Sequence, residues 1–487
     1  MLLSLLATLS AFIFILNLSL SITIIFLERK SPQSTYAWLL FLWIFPIWGF
    51  LFYLFLSQNL TKRKIFKYNT PENIRYNLLL KQQRRSLSQI IAIDPDSPLE
   101  KYRHSIEFHL NVSQALYTNN NAVDVYTDGK SKFEALFDAM ESATSSIHVE
   151  YYIIKYDSLS LQMMDILTRK ALDGIECRLL FDAMGGRYLP KSILERFESA
   201  GGKIGVFFPS KLKMINLRVN YRNHRKIVVI DGTIGFVGGF NVGNEYLGLD
   251  PKMGYWRDTH LKIQGASAHE LQLRFLLDWR ASSSENLVVD SDCQNKYFPV
   301  IPQKSGAGIQ IVSSGPDKTN QQIKQGFLRM INNAESYILI QSPYFVPDES
   351  ILEALKIALL SGIDVRIMIP NKPDHIFIHW ATLAYVGELI EYGAKVYVYE
   401  NGFLHSKTIV VDDAVSSVGS CNFDIRSFRL NFETNAFVYD RSISTYLKNV
   451  FVEDMKLCTY YSKEIYLQRG YHIKIKESIS RLFSPLL

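Results

Sequence analysis

The hydrophobic pattern divides the chain into an apolar N-terminal part and a longer part in which apolar runs alternate with polar segments. Residues 2–27 contain no charged side chain, and residues 36–56 form a second apolar stretch that contains Pro46. At about 1.5 Å per residue, a helix over the first stretch is longer than the ~30 Å hydrocarbon core of a bilayer. The pattern therefore predicts a hairpin of two transmembrane spans over residues 1–57.

The longer part repeats its own pattern of strand-like and helix-like segments. The apolar run SIHVEYYII at 146–154 corresponds to SYILIQSPYF at 336–345, and each follows the end of a helical segment. Strands that alternate with helices in this way indicate an α/β fold. We predict two pseudo-symmetric α/β sandwich halves behind the membrane hairpin. The predicted boundaries are a juxtamembrane neck at 58–110, a first half at 111–282, a linker at 283–308 and a second half at 309–487.

One motif occurs once in each half, and its two copies lie 181 positions apart. Both copies read H-x-K-x4-D-x6-G-[GS]-x-N. A single H-x-K-x4-D would carry little weight, but agreement at six positions over 18 residues is not a chance match. The motif supplies two sets of polar side chains, which are His224, Lys226, Asp231 and Asn241 in the first half and His405, Lys407, Asp412 and Asn422 in the second.

These side chains suit phosphodiester chemistry. The histidine and lysine of each copy precede an apolar strand, and residues i and i+2 of a strand project from the same face. If the halves pack about a pseudo-twofold axis, both sets meet in one cleft. Lysine and amide donors would stabilise the oxygens of a five-coordinate phosphorus, while one imidazole attacks and the other protonates the leaving alkoxide.

Further residues are candidates for supporting roles. A carboxylate bonded to an imidazole fixes its tautomer and raises its basicity, and Glu245 and Glu433 follow the motif asparagines at distances that allow this role. His375 is a candidate to line the cleft or an ordinary surface histidine. No metal or cofactor is expected, because the chain lacks the clustered acids of a two-metal phosphoesterase and its four cysteines lack metal-binding spacing.

The charge distribution favours a membrane partner over a nucleic acid. The net charge is +6, and residues 1–70 contribute six basic residues against one acid, so the rest of the chain is nearly neutral. A nucleic-acid-binding domain usually carries a broad basic face. Lys62, Arg63, Lys64 and Lys67 follow the second span, whereas only Arg29 and Lys30 lie between the spans. The positive-inside rule then predicts a two-span cell-membrane protein with its large domain in the cytoplasm.

At the duplicated motif the chain resembles the phospholipase D superfamily, and the surrounding residues resemble bacterial cardiolipin synthases. The similar segments are ERKSP (28–32), AWLL (37–40), YWRDTH (255–260), LLDW (276–279), NGFLH (401–405), DIRSFRLNFE (424–433) and SPLL (484–487). The resemblance implies two phospholipase D-like halves and a phosphatidyl transfer between two phosphatidylglycerol molecules, giving cardiolipin and glycerol.

The resemblance also implies roles for the motif residues. By the habit of the family, His224 attacks the phosphorus and His405 protonates the released glycerol and then deprotonates the acceptor hydroxyl. Lys226, Lys407, Asn241 and Asn422 would hold the phosphate, and Asp231 and Asp412 would orient the imidazoles. Because the halves are nearly symmetric, the sequence leaves open which histidine attacks.

Three other functions are compatible with parts of this pattern. A membrane-bound phospholipase D would use water as acceptor and release phosphatidic acid. A nuclease of the same superfamily fits less well with the nearly neutral catalytic region, and a membrane scaffold fits less well with two complete motifs. The sequence gives no indication of the oligomeric state, the acyl-chain preference or the regulation.

Overall fold

The computed structural model describes residues 2–28, 32–56, 60, 65–66, 70–91, 99–209, 220–283, 285, 287, 295–302, 305–482 and 484. Several residues used above lie outside these ranges. They include the six basic residues of the orientation argument (Arg29, Lys30, Lys62, Arg63, Lys64 and Lys67) and parts of the predicted neck, of the linker and of the C-terminal SPLL segment. The predicted domain boundaries stay predictions.

The N-terminal part forms apolar helices. They are α1 (Leu2–Ile22), continued by a π-helical segment (Thr23–Glu28), α2 (Pro32–Ile44) and α3 (Pro46–Leu56). Among the residues that the structure describes, one helix, Ala7–Phe26, is long and apolar enough to cross a membrane. The second apolar stretch is broken at Phe45, because proline at 46 has no N–H to donate to the preceding turn. The carbonyl of Leu42 accepts instead from Asn17 Nδ2 of α1, at 3.4 Å. A second span therefore stays a prediction.

Two helices connect the apolar part to the body of the protein, α4 (Thr70–Ile91) and α5 (Leu99–Val112). Tyr102, Ile106 and Leu110 recur every four residues along α5, so they share one helix face. All three are fully buried in a core that also contains residues of the second half, such as Phe327. This apolar face fixes α5 to the body.

Each half alternates strands with helices. The first half contains β1 (Tyr117–Asp128), α6 (Gly129–Glu141), β2 (Ser146–Tyr151), α7 (Ser158–Leu172), β3 (Glu176–Asp182), α8 (Lys191–Ser199), β4 (Lys203–Phe207), β5 (Arg222–Asn223), β6 (Ile227–Ile230), β7 (Ile234–Gly238), β8 (Trp256–Gly265) and α9 (Ser267–Ser282). The second half contains β9 (Ala307–Ser314), α10 (Gln322–Asn332), β10 (Tyr337–Gln341), β11 (Phe345–Val346), α11 (Glu349–Leu360), β12 (Asp364–Pro370), α12 (Ile376–Glu391), β13 (Lys395–Tyr399), β14 (Phe403–Leu404), β15 (Thr408–Val411), β16 (Val415–Gly419), β17 (Phe423–Asp424), α13 (Ile425–Arg429), β18 (Asn431–Tyr439), α14 (Arg441–Met455), β19 (Cys458–Tyr461), α15 (Lys463–Gln468) and α16 (Tyr471–Leu482).

The two halves have the same sheet topology. The hydrogen-bonded order is β4-β3-β2-β6-β7-β8-β1 in the first half and β13-β12-β10-β15-β16-β18-β9 in the second, where β19 extends the edge at β13. The equivalent strands β1 and β9 pair with each other in antiparallel fashion. The prediction of an α/β fold in two pseudo-symmetric halves is confirmed.

Each half also contains a two-residue strand that pairs with a strand of the other half. The strand β5, which ends one residue before His224, pairs with β18, and β14, which ends at the residue before His405, pairs with β8. The backbone N–H of His224 donates to the carbonyl of Phe432 at 2.9 Å, and that of His405 donates to the carbonyl of Arg257 at 2.7 Å. This exchange places each motif histidine against a strand of the opposite half.

Candidate active site

Each motif histidine is bonded to a buried carboxylate of the opposite half. His224 Nδ1 lies 3.0 Å from both Oε1 and Oε2 of Glu433 on β18. His405 Nδ1 lies 2.5 Å from Oδ2 of Asp258 on β8. The strands β8 and β18 occupy equivalent places in the two sheets, so Asp258 and Glu433 are related by the pseudo-symmetry. A carboxylate on Nδ1 holds the proton there and leaves Nε2 free for chemistry.

The histidine and lysine of each motif lie just before a strand and not on it, because residues 224–226 stand between β5 and β6 and residues 405–407 stand between β14 and β15. The charge of Glu433 acts on both His224 and Lys226, whereas the intervening Arg225 is buried with its Nη1 bonded to Asp278 at 2.9 and 3.1 Å. In the second copy the intervening Ser406 shares a 2.8 Å hydrogen bond with Thr259. These buried contacts of the middle residue fix the direction in which each histidine and lysine point.

Burial and neighbouring charges set the charge state of the two histidine–carboxylate pairs. Burial lowers the pKa of His224, although the charge of Glu433 opposes this, and burial lowers the pKa of His405 to about 4. Burial alone would raise the pKa values of Glu433 and Asp258, but the neighbouring histidines and lysines hold both below their usual range. At neutral pH the site therefore contains neutral imidazoles and ionised carboxylates. A bound phosphodiester anion would raise the pKa values of the imidazoles.

The two motif lysines are buried beside their histidines. Lys226 Nζ donates to the carbonyl of His224 at 2.6 Å, and Lys407 Nζ donates to the carbonyl of His405. Burial lowers the pKa of Lys226 to about 7 and that of Lys407 to about 8. The charge of Lys407 further lowers the pKa of Lys226 and acts on His224 across the pseudo-symmetry axis. The two sets of side chains thus share one electrostatic environment.

The lowered pKa values of the lysines predict a pH-dependent affinity for phosphodiesters. Each ammonium is charged below its pKa and neutral above it, so binding should be strong at pH 6 and weak at pH 9. We expect the affinity for bis(glyceryl) phosphate, whose own charge is constant over this range, to fall about tenfold or more, since hydrogen bonds to charged groups contribute about 1.5–3 kcal/mol. Calorimetric titration of the full chain in detergent measures this. The Lys226→Met variant should bind bis(glyceryl) phosphate weakly at both pH values. A wild-type affinity that does not change with pH would contradict the prediction.

The motif asparagines lie next to this cleft, but their side chains are partly engaged. Asn241 accepts from the backbone N–H of Ile153 at 3.2 Å and donates to the hydroxyl of Tyr246 at 2.9 Å. Asn422 Nδ2 donates to Asp424 Oδ2 at 3.1 Å, and its buried Oδ1 has no hydrogen-bond partner among the described residues. Phosphate binding by Asn241 and Asn422 stays a prediction.

The expectation that Asp231 and Asp412 orient the imidazoles is wrong. The Asp231 carboxylate accepts from the backbone N–H groups of residues 144, 145 and 146 at 2.8–2.9 Å, and the Asp412 carboxylate accepts from those of residues 335, 336 and 337 at 2.8–2.9 Å. The cause is strand geometry. The four-residue strands β6 and β15 separate the lysine from the aspartate, which places them about 13 Å or more apart at ~3.3 Å per residue.

These contacts predict a structural phenotype for the motif aspartates. Asp231 and Asp412 both adopt positive φ, 50° and 52°, at the turn after the strand. Asp231→Ala should lower the free energy of unfolding by about 2–4 kcal/mol, because three backbone donors lose a charged acceptor. Thermal unfolding in detergent measures the change, and Asp138→Ala on a helix surface is the control. Loss of turnover with unchanged stability would indicate a direct catalytic role instead.

The other sequence candidates separate into two outcomes. Glu433 lies on His224, as described, whereas Glu245 pairs with Lys155, so the suggestion that Glu245 bonds a catalytic histidine is wrong. Glu245 lies on the short 3-10 helix Asn244–Leu247, and its partner Lys155 precedes α7. Asp258 takes the equivalent place on His405 and was not a sequence candidate. The available signal was a charged run, Arg257-Asp258, inside a strand, since a buried carboxylate requires a partner.

His375 lines a small pocket beside the cleft, together with Tyr344, Asp374 and His379. The Tyr344 hydroxyl donates a hydrogen bond to the Asp374 carboxylate, and the negative charge of Asp374 raises the pKa of Lys407. The pocket thus adjoins the lysine of the second motif.

Within the described ranges, no group of three or more His, Cys, Asp or Glu side chains is arranged to hold a metal ion.

The geometry defines a duplicated phosphodiester site built across two phospholipase D-like halves. A family model described as "Cardiolipin synthase, PLD-like domain" matches residues 136–278 and 327–455, and a second, "Phospholipase_D-nuclease N-terminal", matches residues 15–58. The chain is 49% identical to the major cardiolipin synthase ClsA of Bacillus subtilis over 97% of this chain and 98% of that protein. It is 47% identical to a cardiolipin synthase of Listeria welshimeri over 99% of this chain and 100% of that protein.

A solved structure supports the same fold at greater distance. The phosphatidylserine synthase of Haemophilus influenzae matches with a TM-score of 0.60 and 14% identity, over 79% of this chain and 100% of that chain. The chain belongs to the PLD-like cardiolipin synthase family. The resemblance inferred from the motifs is confirmed, and the apolar N-terminal helix and the family together indicate association with a membrane.

Proposed function

We propose that this protein is a cardiolipin synthase that transfers a phosphatidyl group from one phosphatidylglycerol to another. The observation that carries the proposal is the pair of histidines, each bonded through Nδ1 to a buried carboxylate and each beside a buried lysine. The names of the relatives, which share nearly half of the sequence over almost its whole length, support this substrate class.

In the proposed first step, Nε2 of His224 attacks the phosphorus of a phosphatidylglycerol. The new N–P bond forms as the bond to the glycerol oxygen breaks. His405, which takes up a proton from solvent when the phosphodiester anion binds, gives that proton to the glycerol oxygen. Glu433 stabilises the positive charge that develops on His224, and Lys226 and Lys407 stabilise the equatorial phosphate oxygens. The products are free glycerol and a phosphatidyl-histidine.

In the second step, the headgroup hydroxyl of another phosphatidylglycerol enters the cleft. His405, now neutral, takes the proton of that hydroxyl while the oxygen attacks the phosphorus and the N–P bond breaks. The product is cardiolipin, and both histidines return to their initial states. Over the two steps one P–O ester bond is exchanged for another, so the transfer is readily reversible and needs no external energy source.

The product formed from defined vesicles tests the proposal. Purified full-length protein would be incubated with phosphatidylglycerol vesicles, and lipids and glycerol would be quantified, with the His224→Ala, His405→Ala double variant as the blank. We expect cardiolipin and glycerol in equal amounts. Phosphatidic acid as the dominant product would show that water is the acceptor and that the protein acts as a phospholipase D.

We also propose that both apolar stretches cross the cell membrane and that the catalytic body lies in the cytoplasm. The support is the apolar character of α1 to α3 and the basic residues after the second stretch. Protease treatment of intact protoplasts is the test. The body should be protected until the membrane is opened, and cleavage in intact protoplasts would contradict the cytoplasmic assignment.

A further inference from the structure

The C-terminal helix α16 has its apolar and polar faces in an unusual orientation. Its residues that face the protein are mostly polar, and Glu477 and Ser480 are 3% and 2% exposed. Four apolar residues face outward, with exposures between 45% and 84%, and the polar residues His472 and Ser478 are exposed beside them. An ordinary surface helix buries its apolar stripe and exposes its polar side. The outward apolar set, called the α16 stripe, consists of Tyr471, Ile475, Ile479 and Leu482.

The inward polar face is held by specific contacts. Glu477 accepts from Arg469 Nε at 2.8 Å, and Ser484, just beyond the helix, shares a 3.0 Å hydrogen bond with Tyr385 of α12. Arg481 forms an ion pair with Glu388 of α12 at 2.6 Å. These contacts fix the orientation of α16. The α16 stripe faces outward because the polar side of the helix is bonded to the protein.

Basic residues border the α16 stripe. At about 100° per residue, Lys474, Lys476 and Arg481 lie roughly 100–120° from its centre, on both sides. The single acidic residue of α16, Glu477, is turned inward. An exposed apolar stripe with flanking cations and no outward anion is the arrangement of helices that lie in the interface of an anionic bilayer.

The α16 stripe continues toward the cleft. Lys476 Nζ lies 4.9 Å from the centroid of the Trp380 ring, and Arg481, further along α16, pairs with Glu388, further along α12. The two helices therefore run in the same direction. The start of α16 therefore lies near the start of α12, where Ile376 and Phe377 are 68% and 57% exposed. The residues just before them, Asp374 and His375, line the pocket beside Lys407.

We propose that the α16 stripe, with Ile376 and Phe377, is a second membrane contact that docks on an anionic phospholipid bilayer and turns the cleft toward it. The N-terminal apolar helix keeps the chain at a membrane, so the α16 stripe gains bilayer contact without a separate binding event. The docking does not depend on which phospholipid the site transfers. A second copy of the chain is the other apolar partner that this surface could take, but the bordering cations would face one another in such a dimer.

Quenching by lipids in reconstituted vesicles tests the proposal without an activity assay. The full-length protein, with Cys293 and Cys458 replaced by serine, would carry Ile475→Cys labelled with an environment-sensitive fluorophore. The matched control is Leu172→Cys, at a leucine that is 71% exposed at the end of α7. Both are reconstituted into phosphatidylglycerol–phosphatidylcholine vesicles that contain nitroxide-labelled lipid, and equal melting temperatures verify folding.

We expect blue-shifted emission and strong nitroxide quenching at position 475, little of either at position 172, and reduced quenching at 475 when Lys474→Glu and Lys476→Glu are added. Equal quenching at positions 475 and 172 would overturn the proposal. A blue shift at 475 that grows with protein concentration in detergent and is insensitive to nitroxide lipid would also overturn it, because the occupant would then be a second copy.

Discussion

Asp258→Asn is expected to reduce turnover by about 10³–10⁴-fold, although Asp258 lies outside both motifs, because loss of a buried histidine-orienting carboxylate has an effect of this size in catalytic triads. The carboxylate of Asp258 accepts the Nδ1 proton of His405 and leaves Nε2 unprotonated toward the cleft. An asparagine can instead donate to Nδ1, which moves the imidazole proton to Nε2. It also removes the negative charge that would stabilise protonated His405 when the alkoxide leaves.

The substitution should leave the fold intact and change the pH profile. Asparagine has nearly the volume of aspartate, so we expect a melting temperature close to that of the wild type. Removal of the anion lowers the pKa of His405 further, and turnover that depends on protonated His405 should therefore decline at lower pH than in the wild type. The control is Glu245→Gln, which alters a carboxylate that pairs with Lys155. Similar turnover in Asp258→Asn and Glu245→Gln would contradict the assigned role.

The duplicated motif made most of the fold and half of the site predictable. Because His224 and Lys226 recur as His405 and Lys407, the sequence alone indicated two related halves and one shared cleft. Period-two strand geometry then predicted that each histidine and lysine share a face, and the buried contacts of Arg225 and Ser406 agree with this. These inferences needed only local spacing and repetition.

The partners of the histidines could not be predicted in the same way. Glu433 lies 209 positions from His224, and Asp258 lies 147 positions from His405. Both contacts depend on the exchange of β5 and β14 between the halves, and no local periodicity encodes a two-residue strand that pairs with a distant one. The wrong prediction that Asp231 orients an imidazole is different, because the length of the strand between Lys226 and Asp231 is enough to exclude that contact.

His224→Ala and His405→Ala are each expected to lower turnover by about 10⁴-fold or more, but with different effects on the covalent intermediate. If His224 is the nucleophile, His224→Ala cannot form an N–P bond and should retain no label from phosphatidylglycerol with radioactive phosphate. His405→Ala keeps the nucleophile with its Glu433 partner and loses the proton donor and acceptor. It should form the phosphatidyl-enzyme slowly and then fail to discharge it.

The measurement is acid-labile, base-stable label on the protein after quenching, because a phosphoramidate is hydrolysed by acid and survives base. Peptide mapping then locates the modified histidine. Label on His405 in the His224→Ala variant, with none in His405→Ala, would exchange the two roles and leave the two-step transfer intact. Wild-type turnover without label on either histidine, in a rapid-quench experiment that captures the first turnover, would argue for direct displacement by the second lipid. The symmetry of the two histidine–carboxylate pairs makes this experiment decisive, because each histidine has the lysine and the carboxylate needed for either role.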